Sequence, residues 1–164
     1  MPFKVDMSLH EDGIKNMLDE YALDKNLEFD TSKVADFIYF YTSGYPFLVS
    51  RLCQIIDEDL GASWNEENML KAVKLLLNEK NTLFDDVIKN VSNNKDLYDY
   101  IFDIVFNGAT KDFNIDNNLV DLGVTFGYFK EDDGKVKISN RLLEQRLYNY
   151  FVTNLKLRNV AGYK

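Results

Sequence analysis

The sequence predicts a mainly α-helical chain: five helices, then a helix, a short helix, one small β-hairpin and a long last helix. Three observations predict it. Apolar residues recur at helical spacing in segment after segment. Ser, Thr, Asp or Asn stands ahead of most of these segments, where a helix N-cap belongs. One stretch alone, 125–138, reads as two short strands about a turn signal, Asp132-Asp133-Gly134.

Residues 1–7 read as an extended lead-in. Ser8 and Glu11 have capping-box spacing, and Ile14, Met17, Leu18 and Tyr21 give the first helix its apolar stripe, with an end expected near Ala22. Asp30 or Thr31 caps the second helix, whose apolar positions are Val34, Phe37, Ile38 and Tyr41, with Ala35 and Tyr39 widening the face of a helix expected to be well buried. The third helix runs from Pro46 to about Leu60, on Leu48, Val49, Leu52, Ile55 and Ile56, with Gly61 as C-cap. Ser63 and Glu66 open a fourth helix (Met69, Leu70, Val73, Leu76, Leu77), with Trp64 as a hydrophobic staple. Thr82 caps a fifth (Leu83, Phe84, Val87, Ile88, Val91).

Ser92-Asn93-Asn94 is rich in turn formers, and the expected domain boundary lies there, giving modules 1–93 and 94–164. The second module opens with a helix bearing Leu97, Tyr100, Ile101, Ile104, Val105 and Phe106, stopped by Asn107-Gly108. Asp112–Asp116 is a short strand or an extended loop, and Asn117–Gly123 a short helix. Strands are expected at 125–130 and 135–138, and Ser139 or Asn140 caps a last helix carrying Leu142, Leu143, Leu147, Tyr150, Phe151 and Leu155. Helix, short helix, hairpin, helix is the order of a winged helix with an added C-terminal helix.

The joint between the second and third helices organises this reading. In Tyr41-Thr42-Ser43-Gly44-Tyr45-Pro46-Phe47, Gly44 can adopt the left-handed conformation that closes a helix. Pro46 has its φ preset for a first helical turn and lacks an N–H that would have no partner there. The free amides of the new helix favour anions and backbone-level ligand contacts. A helix–helix corner uses Gly and Pro for the same geometric reasons. The stretch resembles the Gly-x-Pro motif in the helical lid of STAND and archaeal-type AAA ATPases. The resemblance extends from Val5 to Phe151, because a small helical lid and then a winged helix follow the motif in that superfamily. It implies that Pro46 lies against the adenine of a bound nucleotide, with Gly44 and Tyr45 beside it. The family often places a phosphate-sensing Arg one helical turn after the Gly. Phe47 stands there in this chain, and Arg51, one turn further on, is the candidate on the phosphate side.

Composition narrows the function classes. At 164 residues, 46% apolar and 28% charged, the chain has material for one domain or two small ones. No apolar run approaches membrane-span length and the N-terminus shows no export signal, so a cytoplasmic protein is expected. Cys53 and His10 are each the sole residue of their type, which leaves no material for an internal disulfide or a Cys-based zinc site and almost none for a triad or a common transition-metal site. Cys53 falls on the apolar face of its helix and reads as a structural thiol. Asp57-Glu58-Asp59 lies at a helix C-terminus, where the macrodipole disfavours negative charge. It marks a partner or a cation, or is a solvated run.

No G-x-x-x-x-G-K-[ST] stretch occurs, and no apolar strand ends in acidic residues, so neither Walker element is present and no catalytic residue or metal site is expected. The expected function is that of a non-catalytic, nucleotide-sensing C-terminal module of a STAND-type, AAA-like ATPase. It would bind no cofactor alone and contact ATP or ADP only with a P-loop core, in cis or in trans. Protein partners are expected; a membrane is not. A winged helix also raises DNA binding, with Asn117 and Asn118 of the short helix toward base edges. Charge opposes it: residues 1–93 hold 17 acids and 9 bases and carry the whole net charge of −8, residues 94–164 hold ten of each, and the tip of the expected wing is acidic. A free-standing protein-interaction module is the other alternative, and an enzyme of another type would need a convergent polar cluster that the sequence does not display.

Overall fold

A computed structural model describes residues Leu9–Ala161. Among these the chain is mainly helical, with eight α-helices and one two-stranded antiparallel sheet. It divides into two compact units, residues up to Glu79 with Asn140–Leu142, and Lys80–Ser139 with Leu143 onward. The break falls after Glu79, whereas the sequence reading put it after Asn93. The fifth helix therefore belongs to the second unit, where it packs on the sixth. A turn-rich tripeptide marks where a helix stops, which is not the same as where packing stops.

The first unit holds α1 (Glu11–Lys25), α2 (Thr31–Thr42), α3 (Pro46–Gln54) and α4 (Glu66–Leu77). Its core takes the centre of the predicted stripes: Ile14, Leu18, Val34, Ile38, Leu48, Leu52 and Leu76 are each no more than 2% exposed, whereas Met17 and Leu70, at the stripe margins, are exposed and Phe37, Tyr41 and Leu77 half-buried. Burying side chains of this size contributes about 1.5–3 kcal/mol each, which is what holds short helices of modest propensity together. The predicted third helix is interrupted. After Gln54 it widens into a π-helical turn, Ile55–Asp59, in which the Leu60 N–H donates to the Ile55 carbonyl at 3.1 Å. That extra residue lets neighbouring Ile55 and Ile56 both be buried while Asp57 turns toward α1.

The second unit holds α5 (Thr82–Asn93), α6 (Lys95–Val105), α7 (Asn118–Thr125), β1 (Phe129–Asp132), β2 (Lys135–Ile138) and most of α8 (Arg141–Ala161). β1 and β2 pair antiparallel, with Phe129 opposite Ile138 and Asp132 opposite Lys135. The turn residues Asp133 and Gly134 both have positive φ, 51° and 73°, as a tight hairpin on twisted strands requires. An isolated bridge joins Asp112 to Lys135, so the ambiguous 112–116 stretch is a loop that touches the sheet at one residue. Residues 125–128, expected as strand, instead finish α7 and the turn after it; Gly123 lets this helix lie directly on the Phe129 ring, which a Cβ would meet at 2.1 Å.

Capping differs from the sequence reading in a consistent way. Asn65, Asn81, Asn94 and Asn117 are N-caps, each side chain accepting a backbone N–H two or three residues on. Ser63 and Thr82 therefore do not cap α4 and α5: Asn is as good a cap, and Asn65 stands two residues nearer the first helical turn than Ser63, while Asn81 stands one residue ahead of Thr82, itself the first residue of α5. His10, with no side-chain bond, is the N-cap of α1; Ser8 lies outside the described residues. Asp30 caps α2 as expected, accepting from the Lys33 N–H at 3.1 Å.

Candidate functional site

The joint between α2 and α3 is built from the backbone outward. Ser43 and Gly44 both take positive φ, 50° and 80°. The Thr42 hydroxyl donates to the Ile38 carbonyl at 2.8 Å and accepts from the Gly44 N–H at 3.0 Å, so one buried side chain closes α2 and fixes the turn. The Tyr45 N–H donates to the Thr42 carbonyl at 3.0 Å. Pro46 then occupies the first position of α3, whose N-terminus has no side-chain cap. Gly44 is required for a second reason: the Leu9 N–H donates to its carbonyl at 2.7 Å, and a Cβ would sit 1.9 Å from the Leu9 carbonyl oxygen. The inner side of the corner is thus filled by the chain itself. Tyr45 and Pro46 are half-buried and Phe47 is exposed.

Arg51, the phosphate-side candidate, is engaged in the first unit. Its Nε donates to Glu79 Oε1 at 2.7 Å, Nη2 pairs with the same oxygen, and Nη1 donates to Gln54 at 3.0 Å. The Glu79 carboxylate holds the guanidinium pKa above its ordinary value. In the second unit the Asn117 side chain accepts from the Leu119 and Val120 N–H groups, so its carbonyl oxygen serves as a helix cap. Asn118 is exposed at the first turn of α7, and the hairpin tip, Asp132 and Asp133, is exposed and acidic. Gly44, Tyr45 and Pro46 lie together at the joint between α2 and α3; Arg51 follows on α3; Asn117 and Asn118 lie in the other unit.

A second constellation escaped the sequence reading. A cleft of about 440 Å³ opens in the first unit between α1 and the α3–π-turn segment, lined by Met17, Tyr21, Ser50, Cys53, Asp57 and Trp64 among others. The Tyr21 hydroxyl donates to Asp57 Oδ1 at 2.5 Å and accepts from Trp64 Nε1 at 3.3 Å. The Tyr21 and Trp64 rings meet edge to face, 5.3 Å apart at 69°, and Phe29 stacks on Trp64 at 5.1 Å and 11°. Burial, then the bond to Asp57, pushes the Tyr21 phenol up to about 12. The one signal that pointed here was the acid run at a helix C-terminus. Its first member is hydrogen-bonded rather than solvated, and the π turn that aims it has no sequence signature.

Cys53 lines the same cleft, and its thiol is also pushed up to about 12, by burial first and the Asp57 charge second. A folded-state pKa above the unfolded one means that thiolate is scarce in the native state at neutral and mildly alkaline pH. Reaction of native protein with a disulfide reagent at pH 8 is expected to be at least about tenfold slower than in denaturant, since the rate follows the thiolate fraction and access. Equal rates would show Cys53 to be open and ordinarily acidic. Among the described residues no group of His, Cys, Asp and Glu could hold a metal ion, and no helix is long and apolar enough to cross a membrane.

Compared with known proteins, the chain matches no family model, no curated protein and no solved structure.

Proposed function

We propose that the chain is a non-catalytic, nucleotide-sensing module of a STAND- or archaeal-type AAA ATPase, with the first unit as its helical lid and the second as a winged helix. The observation that carries the reading is the corner at Gly44–Pro46. A proline at the first turn of an uncapped helix, held by Thr42 and the Leu9–Gly44 bond, presents a half-exposed apolar edge in a fixed attitude. Such an edge suits the flat face of a nucleobase, and a fixed attitude makes contact depend on how the base is presented. The order of elements supports the same reading: α6, α7, a two-stranded hairpin and α8, with a further bridge from Asp112 to the hairpin.

In this mechanism a P-loop core, in cis or in trans, holds the phosphates and metal, and the corner supplies one wall for the adenine. The gain or loss of that contact with nucleotide state biases the attitude of the lid, and the winged helix is the output toward protein partners. Arg51 has no part in it while Glu79 occupies its guanidinium.

Calorimetry with ATP and ADP, up to millimolar concentration, tests this on the chain alone. The expected result is no binding, because one wall does not make a site. Binding that is lost in Pro46→Ala would show a complete site at the corner and overturn the module reading. With a P-loop core that co-purifies with the chain, Pro46→Ala is expected to weaken nucleotide binding several-fold; an unchanged affinity would remove the corner from nucleotide sensing.

A further inference from the structure

We infer that Asn107 is a site of covalent self-modification: it deamidates through attack by the backbone nitrogen of Gly108, and the product loosens the segment that straps α6 to the hairpin. Asn107-Gly108 is the one Asn-Gly pair in the sequence. It stands just past α6, where both residues are exposed. Gly108 has φ 70° and nothing within 4 Å of the place where a Cβ would sit, so its nitrogen lacks the side chain that hinders attack at other residues. The amides on either side are held. The Asn107 N–H donates to the Phe102 carbonyl at 3.3 Å, and the Ala109 N–H to the Asp103 carbonyl at 3.0 Å. Among the described residues the Gly108 N–H has no such carbonyl partner. The nitrogen that must lose its proton to react is the one this turn leaves to solvent. The capping residues Asn65, Asn81, Asn94 and Asn117 differ on both counts: their side chains are committed to helix N-termini, and a residue with a Cβ follows each.

The step needs only water and hydroxide. Hydroxide takes the Gly108 amide proton, and the nitrogen attacks Asn107 Cγ. The new N–Cγ bond forms, the Cγ–Nδ2 bond breaks, and Nδ2 takes a proton from water and leaves as ammonia. The resulting succinimide is opened by water at either carbonyl, giving aspartate or isoaspartate. No electrons change hands; a side-chain nitrogen is replaced by oxygen. The Asn107 side chain is available for this, because its Nδ2 bond to Asp103 Oδ1, 3.1 Å long, is exposed and exchanges with water.

The same bond gives the reaction its consequence. Asp103 accepts from Asn107 on Oδ1 and pairs with Lys111 on Oδ2 at 2.7 Å. The Lys111 carbonyl accepts from the Val136 N–H, on β2, at 2.9 Å. Deamidation turns the donor at position 107 into a carboxylate facing the Asp103 carboxylate, two acceptors of like charge. Isoaspartate also adds a methylene to the main chain inside the turn that the Ala109–Asp103 bond closes. Both products part residues 107–111 from α6, and Lys111 carries the change to β2.

The test ages the intact chain at body temperature in mildly alkaline buffer and follows its tryptic peptides by mass. Asn107 is the sole side-chain amide of the peptide Asp96–Lys111. That peptide is expected to convert before any other asparagine of the native chain, and faster as pH rises. Gly108→Ala should slow the conversion at least about tenfold, since a Cβ crowds the attacking nitrogen. Should that variant not fold, Asn107→Gln, which must close a larger ring, should slow it likewise. In the converted chain, amide exchange at Ala109 and Val136 should accelerate several-fold while α1 keeps its protection. Earlier conversion of another asparagine, a native chain that stays intact while the urea-unfolded chain converts, or conversion untouched by either variant would overturn the site. Unchanged exchange at Ala109 and Val136 after conversion would overturn the loosening of the strap. All of these groups lie in the second unit, so the result stands apart from the lid reading.

Discussion

Gly44→Ala is expected to destabilise the first unit by about 3–6 kcal/mol, far more than removal of one hydrogen from a turn suggests. Three effects add. An alanine at φ 80° bears the left-handed strain of about 1–2 kcal/mol. Its Cβ, built 1.9 Å from the Leu9 carbonyl oxygen, must push that segment away, an overpacking effect of about 1–3 kcal/mol. The Leu9 N–H bond to the Gly44 carbonyl goes with it, a further loss of about 1 kcal/mol. Gly61→Ala is the control. It has the same sign of φ, 70°, but nothing within 4 Å of its Cβ, so only the strain remains. Urea denaturation of the two variants should separate them clearly. If Gly61→Ala is as damaging as Gly44→Ala, the Leu9 contact is not what requires glycine. Gly44 is for this reason a poor probe of nucleotide contact, and Pro46, replaceable without a clash, is the better one.

Phe151→Ala should cost the second unit about 3–5 kcal/mol. The ring is fully buried in α8, edge to face with Tyr98 at 5.0 Å and with Phe102 at 5.2 Å. Truncation loses the transfer energy of the largest class of side chain, leaves a cavity, and removes these two edge-to-face pairs and a tilted one with neighbouring Tyr150. Both edge-to-face partners lie on α6, so amide hydrogen exchange should accelerate in α6 and α8 before it does in α1–α4. Phe126→Ala is the comparison, because that ring is 46% exposed; its effect should stay below about 1 kcal/mol. Equal losses at the two positions would mean that Phe151 is not the anchor of this core.

Much of the fold was legible because burial follows period. Leu48, Leu52 and Ile55, or Leu97 and Ile101, recur at the spacing of one helical face, and each proves to be no more than 1% exposed. The hairpin was legible because Asp133-Gly134 is a turn that other residue pairs adopt at a cost. The corner was legible for a similar local reason: Gly before a helix-starting Pro leaves the chain few conformations. Helix starts were less so, since Ser63, Asn65, Thr82 and Asn81 are all competent caps, and the competition between neighbours is settled by which carbonyl and amide the tertiary fold places within reach.

The sequence by itself determined the helical class, the single hairpin, the apolar stripes and the Gly44–Pro46 joint, because each depends on residues within one or two turns of one another. Tertiary structure alone decided which unit α5 joins, that Leu9 lies on Gly44, that Glu79 takes Arg51, and that Tyr21, Asp57 and Trp64 converge on one cleft. Tyr21 and Asp57 are 36 positions apart, Tyr21 and Trp64 43. No periodicity spans such distances; packing of α1 against the segment that follows α3 sets them, and a π turn of one extra residue decides where the carboxylate points.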